Sequence, residues 1–317
     1  MTEAEELAQR LLAGDRRALA RAITLAEDED PRCQELLQHV FPMSGNAETV
    51  GVTGPPGVGK STLIDCLIQS ERERGRSVGV LSVDPSSPFT SGAILGDRLR
   101  MSRHFLDPHV FIRSMGSRGA AGGLARGTGH AATLVDAAGS DVVLIETVGV
   151  GQVEIDIARS TDSVVLVLMA GAGDSIQALK SGIMEIPDVI VINRADDPRA
   201  RQTFRYVREA VSLRPRGGWR PPIVQTQAST GQGVDDLQRA LDSHREYLAS
   251  DGRLLERRRQ IARAQITDMV TAEITAHVDS AIQTDDGIDS FLTDVAARKL
   301  DPVTVVNAIT NAVTRSP

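Results

Sequence analysis

Apolar and polar positions follow three successive spacing patterns along this 317-residue chain. Over residues 1–45, Leu7, Leu11, Leu12, Leu19, Ala20 and Ile23 recur at helical spacing with charges between them, which predicts helix. Gly14-Asp15 separates two helices, and "PMSGN" (42–46) reads as a connector. From about 48 to 240 short β-branched runs alternate with amphipathic stretches. The runs are 49–54, 77–84, 110–114, 141–147, 163–169, 188–193 and 222–227, and the intervening helices include 61–74 and 123–138. Most runs are continuously apolar, as strands covered on both faces are. The expected fold class is therefore α/β, a mostly parallel sheet flanked by helices. From 233 onward helix returns, with Asp235 or Asp236 in its first turn. Farther on, Ile266, Val270, Ile274 and Val278 share one i+4 row, which predicts either packing on the chain's own domain or a subunit seam. Asp301 and Pro302 read as the cap and first residue of a last helix.

Composition narrows the function classes. A hydrophobic fraction of 41% is enough for a real core, which argues against global disorder. Aromatics are 3% and the net charge is −7, so neither base stacking nor phosphate neutralisation along a duplex is expected. The basic stretch "RLLERRR" (253–259) reads as a solvated helix face. Cys33 and Cys66 are far apart and form no metal-binding spacing, and Cys66 is expected to be a buried small residue. No apolar run approaches the length of a membrane span, and the acidic start "MTEAEELAQRLL" does not read as a signal peptide. The expected setting is cytoplasmic, with no membrane and no nucleic-acid partner.

The chemistry begins at "GPPGVGKST". Gly54, Gly59, Lys60 and Ser61 satisfy G-x-x-x-x-G-K-[ST], after an apolar run and before an amphipathic one. Glycines allow a tight turn that aims successive amides at one point, and the helix dipole adds positive potential there. The loop Gly54, Pro55, Pro56, Gly57, Val58, Gly59, with Lys60, Ser61 and Thr62, is thus expected to hold phosphates. Lys60 would reach the β- and γ-phosphates, and Ser61 would ligate Mg²⁺.

"VINRADD" (191–197) addresses the base. Asp196, just past a strand end, suits the N1–H and N2 amino donors of guanine, which adenine lacks. Asn193 would tie the loop together. Arg194 stands where the N-K-x-D motif of GTPases has lysine, and its guanidinium can stack on a base. "TQASTGQG" (226–233) resembles a second base loop. Ala228 would offer its N–H to guanine O6 and Ser229 would follow it, while Gln227 replaces the usual serine.

Asp84 in "SVDPSS", Asp97 in "ILGDRLRM" and Glu146 in "IETVGVGQ" fall where strands end, and the carboxyl ends of parallel strands face the ligand crevice. Asp84 and Glu146 would approach the γ-phosphate and Mg²⁺ from neighbouring strands. In "ETVG", Gly149 would donate its N–H to the γ-phosphate, making the segment a switch. The loops 85–97 and 114–129 read as functional, and 169–182 as a strand-to-helix loop.

Together, "GVTGPPGVGKSTLID", "VDPSSPFTSGAILGDRLRM", "ETVGVGQ" and "LVLMAGAGDSIQALKSGI" resemble the MeaB/ArgK family of P-loop GTPases, in the G3E class, in order over residues 50–235. The resemblance implies a P-loop fold with N- and C-terminal helical extensions, binding GTP and GDP with Mg²⁺. It implies a chaperone of adenosylcobalamin-dependent acyl-CoA mutases, typically methylmalonyl-CoA mutase, that gates cofactor loading and protects or reactivates the mutase. Ser61, Asp84, Asp97 and Glu146 would surround the metal, and Lys180 would reach the nucleotide from a third switch once the mutase is bound. It also implies a homodimer through the helical extensions. The corresponding division is 1–46 as N-terminal helical extension, 47–242 as GTPase domain and 243–317 as dimerisation extension. Two other functions are weighed: a kinase or transport ATPase, against which Asp196 argues, and a metallochaperone GTPase, against which the scattered histidines argue. An inert scaffold would lack the acids and the functional loops.

Overall fold

The computed structural model describes residues 2–84, 101–116, 123–147, 157, 159–171, 183–214, 218–284 and 286–307. They form two compact units, Met1–Ala262 and Arg263–Pro317.

In the first unit, seven strands make one sheet: β1 (Glu48–Thr53), β2 (Val78–Asp84), β3 (Val110–Gly116), β4 (Val142–Thr147), β5 (Ser163–Met169), β6 (Val189–Asn193) and β7 (Ile223–Thr226). Their spatial order is β3-β2-β4-β1-β5-β6-β7, and every pairing is parallel. All seven apolar runs of the sequence are strands. β4, β5 and β6 are buried almost residue by residue, which explains their lack of alternation. The order places β1 at the centre, where the chain's course across the sheet reverses and a crevice opens at the carboxyl ends.

Two apolar layers sandwich the sheet. On one face, helices α4 (Lys60–Glu73) and α7 (Val234–Ala249) meet Val50, Val52, Val80, Leu144 and Val165. The other face carries α5 (Gly123–Ala137) and the N-terminal helices α1 (Glu3–Leu12), α2 (Arg16–Glu27) and α3 (Arg32–Val40). A smaller apolar cluster under α6 (Ala200–Ser212) covers β5 and β6.

The sequence predicts one break in the N-terminal helical region, and the structure has two. Asp15 caps α2 by accepting from the amides of Arg17 and Ala18, as the Gly14-Asp15 signal implies. The second break, at 28–31, places Glu29 in the left-handed region (φ 52°) just before Pro31, which cannot continue a helix from its N-terminal side. Arg113 of β3 holds α2 through Glu27 and Thr24. The connector into β1 is held by one carboxylate. Asp136 of α5 accepts from the amides of Gly45 (2.5 Å), Asn46 (3.2 Å) and Ala47 (3.0 Å). This feeds β1, and hence the loop after it, from a fixed point.

Helix α8 (Arg253–Thr284) begins against the sheet, where Arg258 bonds Asp162 and the carbonyls of Gly45 and Ala47. In the second unit, Ile266, Val270 and Ile274 are 61%, 49% and 53% exposed. Val278, the last of the row, is half-buried. Helix α9 (Asp286–Ala296) follows. Among the described residues no helix is long and apolar enough to cross a membrane.

Asp136→Ala leaves three connector amides without their acceptor. The expected loss of stability is about 2–4 kcal/mol, read from the midpoint of denaturant unfolding. An unaltered midpoint would contradict the anchoring role.

Candidate nucleotide site

β1 delivers its last residue, Thr53, to the crevice, and the chain turns through residues 54–59 into α4. Two glycines make this turn possible. Gly54 adopts φ 142°, and a Cβ there would lie 2.1 Å from the carbonyl oxygen of Val167 on β5. Gly59 adopts φ 95°, and its Cβ would meet the Asn193 amide nitrogen at 2.4 Å. Any side chain at either position would push the loop out of the crevice. Gly59 is also the N-cap of α4 and has no side chain to occupy the helix end. The positive end of the helix dipole therefore faces the loop, which is the arrangement that takes up an anion.

Lys60, 6% exposed, folds back over the loop and donates to the carbonyls of Gly54 (2.7 Å) and Pro55 (3.1 Å). Pro55 and Val58 are buried, Pro56 and Gly57 exposed, and Thr62 half-buried. Next to Lys60, the Ser61 hydroxyl donates to Glu146 Oε1 at 2.7 Å. Glu146 stands at the carboxyl end of β4, in register with Val52 of β1, and is 1% exposed. A buried hydroxyl and carboxylate beside a phosphate-type loop are hard oxygen donors, and they fit Mg²⁺. Ser61 and Glu146 would hold that ion. When bound, it neutralises phosphate charge. Among the described residues no three His, Cys, Asp or Glu side chains cluster as a metal site. Asp84 ends β2, the strand beside β4. Its side chain, together with Asp97, Gly149 and Lys180, lies outside the described residues.

The segments expected to take the base meet at one amide. Asn193, the last residue of β6 and 4% exposed, donates to the Val58 carbonyl of the phosphate loop at 2.8 Å. Its oxygen accepts from the Ala228 amide (3.0 Å) and the Thr226 hydroxyl (3.2 Å). The loop-tying expected of Asn193 is present in the geometry. The Ala228 N–H expected at guanine O6 is engaged by Asn193. Arg194 adopts φ 57°, which turns the chain at once so that the Ala195 amide can reach the Thr226 carbonyl. Asp196 is exposed and has no hydrogen-bond partner among the described residues. Asp197 instead pairs with Arg199, whose guanidinium holds the carboxyl down to about 2. Gln227 closes a short turn by exchanging a backbone bond with Gln232, and Ser229 is exposed on its rim.

Two contacts were not foreseen in the sequence. Cys66, expected to be buried, is partly exposed, and its thiol donates to the Ala228 carbonyl at 3.2 Å. Burial of the sulfur raises its pKa, which keeps it a donor. Ser82 of β2 donates to the second Glu146 oxygen, Oε2, at 3.4 Å. The only signal for Ser82 was a hydroxyl within an otherwise apolar run.

A parallel sheet with a glycine loop leading from its central strand into a helix defines a P-loop nucleoside triphosphatase. Comparison with known proteins narrows this. The family described as "Methylmalonyl Co-A mutase-associated GTPase MeaB" matches residues 19–283. A Pyrococcus abyssi protein named as a GTPase is 45% identical over 309 residues, covering 96% of this chain and 95% of its own. GTPase ArgK of Escherichia coli is 36% identical over 282 residues, covering 86% and 85%. The crystal structure of a LAO/AO transport system kinase superposes with a TM-score of 0.74 at 28% identity, covering 99% of each chain. The chain belongs to the MeaB family of mutase-associated GTPases, and it is a GTPase.

Asn193→Ala removes three hydrogen bonds that join the phosphate loop to the turn after β7. At about 1 kcal/mol each, GDP affinity should fall on the order of 100-fold, measured with a fluorescent GDP analogue. An affinity within twofold of the wild type would contradict the joining role.

Proposed function

We propose that this GTPase is a chaperone of an adenosylcobalamin-dependent acyl-CoA mutase, with methylmalonyl-CoA mutase the first choice. It would gate cofactor loading and protect or reactivate the mutase. The observation that carries the nucleotide half of this reading is the Asn193 junction, which ties the phosphate loop to the turn after β7, three residues before the exposed Asp196 carboxylate in the chain. The mutase half rests on membership of a family described as mutase-associated.

In this reading the loop Gly54–Gly59 with Lys60, Ser61 and Thr62 takes the phosphates. Asn193, Arg194, Asp196, Gln227, Ala228 and Ser229 take the base. On nucleotide arrival Lys60 exchanges the Gly54 and Pro55 carbonyls for phosphate oxygens, and the Ala228 amide, still held by Asn193, is shared with guanine O6. Ser61, Asp84, Asp97 and Glu146 are the residues for Mg²⁺. Gly149 contributes an amide to the γ-phosphate, and Lys180 acts with the partner bound. Hydrolysis then needs positioning and charge neutralisation rather than a covalent intermediate. The exposed row Ile266, Val270 and Ile274 suits a homodimer seam in the 243–317 extension, because an apolar stripe left in water has a cost that a second copy removes. The setting is cytoplasmic.

A second reading follows from the 28% identical structure titled a transport system kinase: an ATPase that passes phosphate to another molecule. Competition against labelled GDP separates the two. The GTPase-chaperone reading expects GTP to displace it and ATP to fail at equal concentration, while equal displacement favours the ATPase.

Three further outcomes test the assignment. Lys60→Ala should abolish hydrolysis. Asp196→Asn should lower GDP affinity at least on the order of 100-fold, since two hydrogen bonds to a charged group are lost, and should improve relative binding of xanthosine diphosphate. A tagged chain loaded with a GTP analogue should retain a cobalamin mutase, and failure with every acyl-CoA mutase of its host would end the chaperone reading while leaving the GTPase intact.

A further inference from the structure

Three polar side chains stand in one line across the apolar sheet. Ser114 of β3 pairs in register with Ser82 of β2, and Ser82 pairs in register with Glu146 of β4. In-register neighbours of a parallel sheet present their side chains to the same face. Here that is the α4 face, whose other members on these strands include Val78, Val80, Val142 and Leu144, packed with Leu63, Ile64 and Leu67. Ser82 is 3% exposed. Burying a hydroxyl among valines is unfavourable unless it finds a partner, and Ser82 finds Glu146 Oε2 at 3.4 Å. Ser61 holds the other oxygen, Oε1, at 2.7 Å. Behind Ser82, the Ser114 hydroxyl is buried and has no hydrogen-bond partner among the described residues.

We propose that Ser82 is a positioning residue for Glu146. A carboxylate on a terminal glutamate torsion turns easily. Two hydroxyls on its two oxygens stop that rotation, one from the phosphate-loop helix and one from the neighbouring strand. Ser82 thereby aims Oε1 at the Ser61 hydroxyl, where the magnesium of the proposed function is placed, and the inference rests on that reading. Ser82 itself touches neither nucleotide nor metal. Its effect is on how tightly the ion is held.

The test is the release rate of a fluorescent GDP analogue from the full chain as a function of Mg²⁺ concentration, alongside GDP affinity and thermal melting in EDTA. In the wild type Mg²⁺ should slow release. Ser82→Ala should move the Mg²⁺ midpoint upward about 3- to 10-fold, the loss of one ordinary hydrogen bond, and leave GDP affinity in EDTA within twofold. Ser82→Thr, which keeps the hydroxyl, should restore the midpoint. A Ser82→Ala midpoint within twofold of the wild type overturns the inference, as does an equal shift in Ser82→Thr, which would mark packing rather than the hydroxyl. If wild-type release is insensitive to Mg²⁺, the magnesium reading falls and this inference falls with it. If the wild type responds and Ser82→Ala responds identically, only the role of Ser82 is lost.

Discussion

The site depends on one buried amide. Asn193 spends its nitrogen on the Val58 carbonyl and its oxygen on the Ala228 amide and the Thr226 hydroxyl. It thus joins the phosphate loop, the end of β6 and the turn after β7. Each bond is worth only about 1 kcal/mol net, but together they remove the relative freedom of segments 135 and 35 residues away in sequence. A side chain at Gly59 would displace the Asn193 amide, so the glycine and the asparagine require one another.

The sheet supplies the second constraint. Parallel pairing at fixed register brings the ends of β1, β2, β4 and β6 to one crevice, and alternation then decides which side chains look toward α4. Glu146 enters the crevice because it lies opposite Val52, next to the loop, and opposite Ser82, which gives its second oxygen a partner. The same alternation sends Thr53 and Thr147 to the other face, where their hydroxyls bond each other at 3.1 Å. The two strand ends that flank the phosphate loop are therefore braced on both faces by polar contacts within an apolar sandwich. The N-terminal helices belong to this bracing, since Asp136 fixes the connector from which β1 starts.

Much of this was legible in the sequence, for a physical reason. Strands buried on both faces have no choice but to be continuously apolar, so all seven could be read, and a phosphate loop needs glycines at the positions where the backbone turns left-handed. Asn193 was readable because it ends a strand beside a carboxylate. Pairwise geometry was not legible. The break at 28–31 was missed because Asp28, Glu29 and Asp30 fit a helix surface as well as a turn, and Pro31 suits the first turn of a helix as well as a break. Cys66 was placed inside because its helical phase is ambiguous, and only the fold brings the Ala228 carbonyl to its sulfur. Ser82 could not be joined to Glu146 without the register of β2 and β4, which depends on strand order rather than on either strand alone. For the same reason the sequence assigned the Ala228 amide to the base and did not see that Asn193 holds it.

The central claim is that the base and phosphate halves act as one site because Asn193 couples them. A double-mutant cycle tests this directly: calorimetric GDP binding to the wild type, Asn193→Ala, Lys60→Ala and the double variant. The account predicts that the two losses are not additive, with a coupling energy of about 1 kcal/mol or more. Losses that add within the error of the measurement would show two independent half-sites and contradict it.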